Sequence, residues 1–589
     1  MMRLASKVIE WPVIIFQKIL ANGFMLPEAF GPELSIPATP WFTLLGLAAL
    51  LAHWAGGWSL AALITVTGAY LLLFGLWKSA MMTLAFVISA VGVAAVLGIG
   101  LGIAAWRSPA IERIFVPFYD LLQVLPIFSY LLPIVVFFGF GPLAGLVATV
   151  IFAMPPMARV TTIALRKLPA SIHEVARMAG CNRSQTMLLV LLPAARTDLL
   201  VGLNQVVNLS FAVAVFAAII GAGGLGNDLF AALKSLRLGP AIEAGIAITL
   251  LAIVLDRTAR SLSMRRVVHA DPTRRFSLST HPHRTLAAAL ILISLAIMAF
   301  APELAQFPKA YTLSTGRWTN ELVSVINRTA GDTVGTVRDA LIIGLLRPIK
   351  DTLLAVPWSL FVAIASIAAY YIAGLRLAVT VAALLLSIVI MGYWAPAMTS
   401  LYLALLGTVL ACFIGFPIGL AGALSPRIGS VNDVLVDLIQ TLPPFVYLVP
   451  VMLVLGIGDV PALAAIAIYA IAPPVRFTQS GLTQIKGSVI EAAIMSGCTK
   501  TQALRLVRLP LARRSILLGL NQAIIMAFGM LVITAMVGTR GLEANTLLAL
   551  GKIDTGEGLL AGLALVALTI ACERLVSAAA ESGSARVHP

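Results

Sequence analysis

The chain has 589 residues, 60% of them apolar and 11% charged, with a mean hydropathy of +1.00. A soluble fold cannot bury that much apolar surface, and barrel strands would alternate apolar and polar residues where these runs stay apolar, so an all-α polytopic membrane protein is expected. The net charge of +15 reads as Lys and Arg gathered in cytoplasmic loops, and no nucleic-acid partner is expected.

In chain order, residues 1–37 form a tail whose apolar stretch "EWPVIIFQKILANGF" is too short for a signal peptide and carries Lys18. It is expected to lie amphipathically on the outer membrane surface. A first repeat over 38–257 holds apolar runs at about 41–55, 60–77, 81–105, 121–138, 143–157, 199–221 and 241–256. A basic linker, 258–284, is expected in the cytoplasm, and its His281 and His283 read as solvated side chains. An unmatched apolar run, Thr285 to Phe300, makes 285–303 an extra connecting span, and 304–354 reads as external amphipathic helix from its three- and four-residue apolar spacing. The second repeat, 355–574, carries runs at about 355–373, 377–394, 398–423, 438–455, 460–474, 516–538 and 558–572, and 575–589 is a cytoplasmic tail. The total is about fifteen spans.

The two repeats align without a gap at an offset of 317 residues, the distance from Gly180 to Gly497. Pro40-Trp41 falls on Pro357-Trp358, Trp77 on Trp394, Ser108-Pro109 on Ser425-Pro426, and Gly221 on Gly538. "DLLQVLPIFSYLLP" overlies "DLIQTLPPFVYLVP", and "GLNQ" recurs at Gly202 and Gly519. Basic residues cluster around both central loops, which places these loops in the cytoplasm, with the N-terminus outside and the C-terminus inside. Arg3, Lys7 and Lys18 then lie outside, against the usual charge bias.

Those central loops are polar elbows, "IHEVARMAGCNRSQTMLLVLLP" and "IEAAIMSGCTKTQALRLVRLP". Each sets a Glu and small residues on a short helix, then a Gly able to turn where a β-carbon would clash, then a Pro opening the next helix. One copy would pass for an ordinary solvated loop. Two in register suggest a lever that lets another protein approach closely.

The elbow "EAA…G…LP" resembles the coupling loop of permeases in bacterial ATP-binding-cassette (ABC) importers. The second copy keeps Glu491, Ala492, Ala493, Gly497 and Pro510; the first keeps Glu174, Ala176, Gly180 and Pro193 but has Val175 where the pattern wants Ala. "DLIQTLPPFVYLVPVMLVLGIGDVP" and "LPLARRSILLGLNQ" resemble permeases for glycine betaine, proline and related osmoprotectants, of which the usual chain is a single repeat that pairs as a dimer. The resemblance implies two parallel helical bundles of the type I importer class in a bacterial inner membrane. It also implies two copies of a separate ATPase carrying ATP-Mg and a periplasmic or lipid-anchored substrate-binding protein. No G-x-x-x-x-G-K-[ST] occurs, so no cofactor is expected in this chain itself.

Polar and helix-loosening groups within the spans, Gln123, Pro126, Tyr130, Asn204 and Gln205 with Gln440, Pro443, Tyr447, Asn521 and Gln522, are costly in lipid and should face the interior. They fit a translocation path; they fit interhelical hydrogen bonding equally well. Trp77, Trp394, Tyr130, Tyr447, Phe128 and Phe445 fit a cation-π path or ordinary packing. Cys181, Cys412, Cys498 and Cys572 show neither a disulfide framework nor metal-ligand spacing. "GAGGLG" at Gly221 follows a span, not a strand, and reads as an external turn. An ion-coupled secondary transporter would need buried ionisable groups, and Asp120 and Asp437 stand only at span ends. A membrane enzyme would need a catalytic constellation, and none is visible.

Overall fold

In a computed structural model of the chain, the described residues are 2–25, 35–36, 38–124, 127–235, 237–264, 282–300, 307–441 and 444–585. They are almost entirely helical, apart from a two-residue antiparallel pairing of Phe24–Met25 with Ser35–Ile36. The chain divides into two compact units: Met1–Gln123 with Phe137–Asn320, and Val124–Val136 with Glu321–Pro589.

The first unit opens with α1 (Met2–Gln17), a π-helical turn (Lys18–Asn22), α2 (Trp41–Leu73) and α3 (Trp77–Arg107). The runs expected at 41–55 and 60–77 flank Gly57, whose φ of 78° and ψ of −164° break α2 into two arms. α4 (Pro109–Val124) follows; α5 (Ile127–Phe138), which falls almost wholly in the second unit, leads on to α6 (Pro142–Lys167) of the first. Proline at the first residue of α4 and α6 costs nothing, because that backbone N–H has no helical partner. The elbow is α7 (Ala170–Met178), α8 (Arg183–Gln185), a π-helical turn (Thr186–Leu191) and α9 (Leu192–Ala194). It is followed by α10 (Arg196–Ala217), α11 (Leu225–Lys234) and α12 (Leu238–Met264). α3, α6 and α10 pack on one another, α1 lies against α3 and α6, and α13 (Pro282–Phe300) lies against α2.

α14 (Gly316–Thr329) joins the two units. The second begins with α15 (Gly331–Leu341), a π-helical turn (Ile342–Leu346) and α16 (Arg347–Ala355). α17 (Trp358–Ala373) and α18 (Leu375–Ile390) are the two arms of α2 again, separated at Gly374 with φ 82° and ψ −168°. Then come α19 (Trp394–Leu424), α20 (Pro426–Thr441), α21 (Phe445–Leu455), α22 (Asp459–Ala470) and α23 (Ala472–Thr483). α22 and α23 repeat α6 with an interruption at Ile471, just ahead of Pro473 and Pro474, which supply no backbone N–H. The second elbow is α24 (Gly487–Met495), α25 (Lys500–Gln502) and a π-helical turn (Ala503–Arg508), leading to α26 (Leu509–Thr534), α27 (Leu542–Lys552) and α28 (Thr555–Ala585). α16 and its π-helical turn rest on α19 and α22, as α1 and its own turn rest on α3 and α6. α28 runs to Ala585, beyond the repeat boundary drawn at 574.

Nine helices among the described residues are long and apolar enough to span a membrane, or eleven counting two bent pairs. Thr285–Met298 and Leu375–Ile390 are shorter apolar helices. The figure of about fifteen counts each arm separately. It also includes Thr285–Met298 and Leu375–Ile390, which are shorter than a full span, and the runs that fall in the two bent pairs.

Candidate functional site

The elbows are built by the same local physics twice. α7 ends where Gly180, at φ 75°, takes a left-handed conformation open to glycine without a β-carbon penalty. Its N–H donates to the Arg177 carbonyl at 3.0 Å, and the Cys181 N–H reaches back to the Ala176 carbonyl at 3.1 Å. Gly497, at φ 83°, does likewise: its N–H donates to Ile494 at 2.9 Å, and Cys498 donates to Ala493 at 3.1 Å. Each turn is then closed by a capping box. The Gln185 N–H donates to Asn182 Oδ1 at 2.8 Å and the Asn182 N–H to Gln185 Oε1 at 2.9 Å. Thr499 and Gln502 exchange the same two bonds at 2.8 and 3.3 Å.

Ala176 and Ala493 are buried, 1% and 8% exposed, while Glu174, Gly180, Glu491, Ala492 and Gly497 are exposed. One alanine of each motif thus anchors its helix, and the rest is surface. Behind the first elbow sits a cluster of Ala164, Leu165, Met187, Leu191 and Ala195, and Trp106 stacks on His173 at 5.9 Å. Outward, Met178 and Met495 stand 88% and 87% exposed at equivalent positions. A flexible thioether left in solvent on a rigid helix suits an adaptable docking surface.

The span residues fare unequally. Pro126 and Pro443 lie outside the described residues, as do the side chains of Gln123 and Tyr130. Asn204 and Asn521, in the twin "GLNQ" segments, both have a buried Oδ1 with no hydrogen-bond partner, and Gln205 and Gln522 beside them are exposed. Tyr447 is buried and donates to the Ile439 carbonyl, tying α21 to α20. Gln440 is exposed and accepts from Arg476 Nη1 at 2.8 Å. Of the candidate cation-π residues, Phe445 is 1% exposed and packs in the core, and Trp394 meets Phe361 edge-on at 5.5 Å. Among the described residues no group of His, Cys, Asp and Glu could hold a metal ion, and all four cysteines are free.

Several buried carboxylates escaped the sequence reading. Glu243 accepts from the Thr315 hydroxyl at 2.7 Å, and Asp256 accepts from Asn208 at 3.0 Å and pairs with Arg260. Glu543, fully buried, accepts from the Ser400 hydroxyl at 2.6 Å and the Gly541 N–H at 3.1 Å; burial pushes its carboxyl up from the ordinary range. Asp459, half-buried at the start of α22, accepts from the Tyr402 hydroxyl and lies 3.8 Å from Lys350 on α16. Each has a partner far off in sequence, which no local pattern betrays. All four are already engaged by donors.

Residues 94–268 and 415–582, most of each repeat, match the family described as binding-protein-dependent transport system inner membrane component. The chain belongs to this family and is a multi-pass permease of a bacterial ABC transport system, set in the inner membrane. At nearly full length it is similar to the trimethylamine N-oxide transport system permease protein TmoV of Ruegeria pomeroyi, 34% identical over 556 residues, which are 94% of this chain and 84% of that one. TmoV of Pelagibacter ubique is 33% identical over 552 residues, covering 92% and 77%. The glycine betaine transport system permease protein OpuAB of Bacillus subtilis is 38% identical over 267 residues, 44% of this chain but 93% of OpuAB. The double-length form is therefore shared with other permeases, and OpuAB corresponds to a single repeat.

Proposed function

We propose that this permease carries a small methylated amine, such as trimethylamine N-oxide or glycine betaine, into the cell by alternating access. Two copies of a separate ATPase, each using ATP-Mg, dock on Glu174–Gly180 and Glu491–Gly497, and an external receptor, periplasmic or lipid-anchored, delivers the solute. The observation that carries this reading is the elbow pair: each is an exposed short helix, anchored by one alanine and stopped by a left-handed glycine. Such a helix is stiff enough to pass on a push without bending. The solute class is supported by the names of the relatives similar along nearly the whole chain.

Asn204, Gln205, Asn521 and Gln522 are the residues we place on the path. Interhelical glue would have its carbonyls bonded, and both asparagine Oδ1 atoms lack a partner, a state that costs about 1–3 kcal/mol when buried. Recognition by the receptor leaves the path free to bind weakly, so that solute is released.

Reconstitution with the ATPase and receptor tests the proposal. Uptake should require ATP and survive a protonophore, and Glu491→Lys or Gly497→Pro should leave the protein inserted while cutting uptake by about tenfold or more, in the range of coupling energies between sites. Normal ATPase association and uptake in both variants would refute it, as would uptake lost to an ionophore and indifferent to ATP.

A further inference from the structure

Arg476 and Gln479 both project from α23 onto α20. Arg476 donates to Gln440 at 2.8 Å and to Asp437. One turn further along, Gln479 Nε2 donates to Asp433 at 3.1 Å and to the Gly429 carbonyl at 3.3 Å. Its Oε1 accepts from Asn432 Nδ2 at 3.1 Å, and Asn432 also donates to the Ile418 carbonyl of α19 at 3.0 Å. Residues three apart share a helix face, so these are two rungs of one ladder. The fit is close: a β-carbon on Gly422 of α19 would lie 2.3 Å from both Asn432 Nδ2 and Gln479 Oε1.

The ladder's position gives it a role. α23 ends at Thr483 and α24, the second elbow helix, starts at Gly487, so a displacement of α24 is handed directly to α23. At the other end, α20 carries Gln440 and is tied by Tyr447 to α21. We infer that Arg476 and Gln479 are positioning residues that transmit movement of the second elbow to the α20–α21 pair. The two rungs resist both sliding and rotation of α20 on α23, which a single bond could not do. This rests on the proposed docking at the elbow.

In the first half the lower rung has no equivalent. Thr162 stands where Gln479 does and donates to Gly102 at 3.1 Å and Ala158 at 2.9 Å, and Phe115 and Val116 stand for Asn432 and Asp433. α4 is tied to α6 instead by Arg166, which grips Glu112 at 2.8 and 2.6 Å.

The test is solute uptake and ATP hydrolysis measured in the same vesicles holding permease, ATPase and receptor. Arg476→Ala and Gln479→Met should each keep ATPase association and basal hydrolysis while lowering solute moved per ATP by about tenfold, within the usual span of coupling between sites. Exchanging the charges, Asp437→Arg with Arg476→Asp, should restore much of the loss, which a merely disturbed fold would not do. If both single variants move as much solute per ATP as the parent while Glu491→Lys does not, the linkage is wrong and the docking reading stands. If Glu491→Lys is also silent, docking falls and the linkage with it.

Discussion

The two halves agree in backbone where the chain turns and differ in what holds the outer ends of their helices. Gly57 and Gly374 share the same break to within 4° in each dihedral, and the elbow glycines differ by 8° in φ. In both halves a hydroxyl caps the helix that follows the long span after the elbow: Thr83 Oγ accepts from the Leu225 N–H at 2.9 Å, and Ser400 Oγ from the Leu542 N–H at 2.8 Å. There the likeness stops. The second half adds Glu543 under Ser400, and Tyr402 and Asp459 beside it, where the first has Gly226, Ala85 and Pro142, and Lys350 of α16 reaches Asp459. The turns match because each permits few residues; the bracing differs because many side chains can fill one gap.

Three measurements sharpen that contrast, beginning with the largest effect. Glu543→Ala should remove about 1–3 kcal/mol of stability by stranding the Ser400 hydroxyl and Gly541 N–H in the interior. Thermal aggregation in detergent reads the loss, and Glu543→Gly with Ser400→Thr, which copies the first half, should recover part of it. Full stability of Glu543→Ala would show the two outer ends to be equivalent.

Next, Gly180→Ala and Gly497→Ala should each cost about 1–2 kcal/mol, the strain of a left-handed alanine, because neither site has an atom within 4 Å for a β-carbon to strike. Amide exchange across α7 and α24 should accelerate by the same factor in both. Unequal factors would break the claim that the turns are twins.

The smallest effect belongs to the capping boxes. Asn182→Ala and Thr499→Ala should cost about 0.5–1 kcal/mol, asparagine the more, since Asn182 accepts at 2.8 Å and Thr499 at 3.3 Å. Proteolysis just after each elbow is the readout, and a greater sensitivity at Thr499→Ala would contradict the ranking.

Much of the fold was legible because a gap-free duplication doubles every weak signal. Pro40-Trp41 and Pro357-Trp358 do start helices, and Gly180 and Gly497 do turn them. Local motifs are written in a few adjacent residues, which is why the elbow could be read. Bracing is not: Lys350 meets Asp459, and Ser400 meets Glu543, across long stretches of chain. For the same reason the sequence leaves open whether Tyr447 serves a path or ties helices together, while in the structure its hydroxyl donates to the Ile439 carbonyl. Arg476 looked like one more loop cation because charge alone does not tell which helix it reaches.

The π-helical turns at Thr186–Leu191 and Ala503–Arg508 have a mechanical corollary. A π turn fits one extra residue into the coil, and its wider hydrogen-bonded ring yields more readily than the α-helix on either side. Each stands between a short surface helix and a long span, α10 in the first half and α26 in the second. On the proposed docking at the elbows, each is the place where a sideways load would become a small rotation of the span behind it.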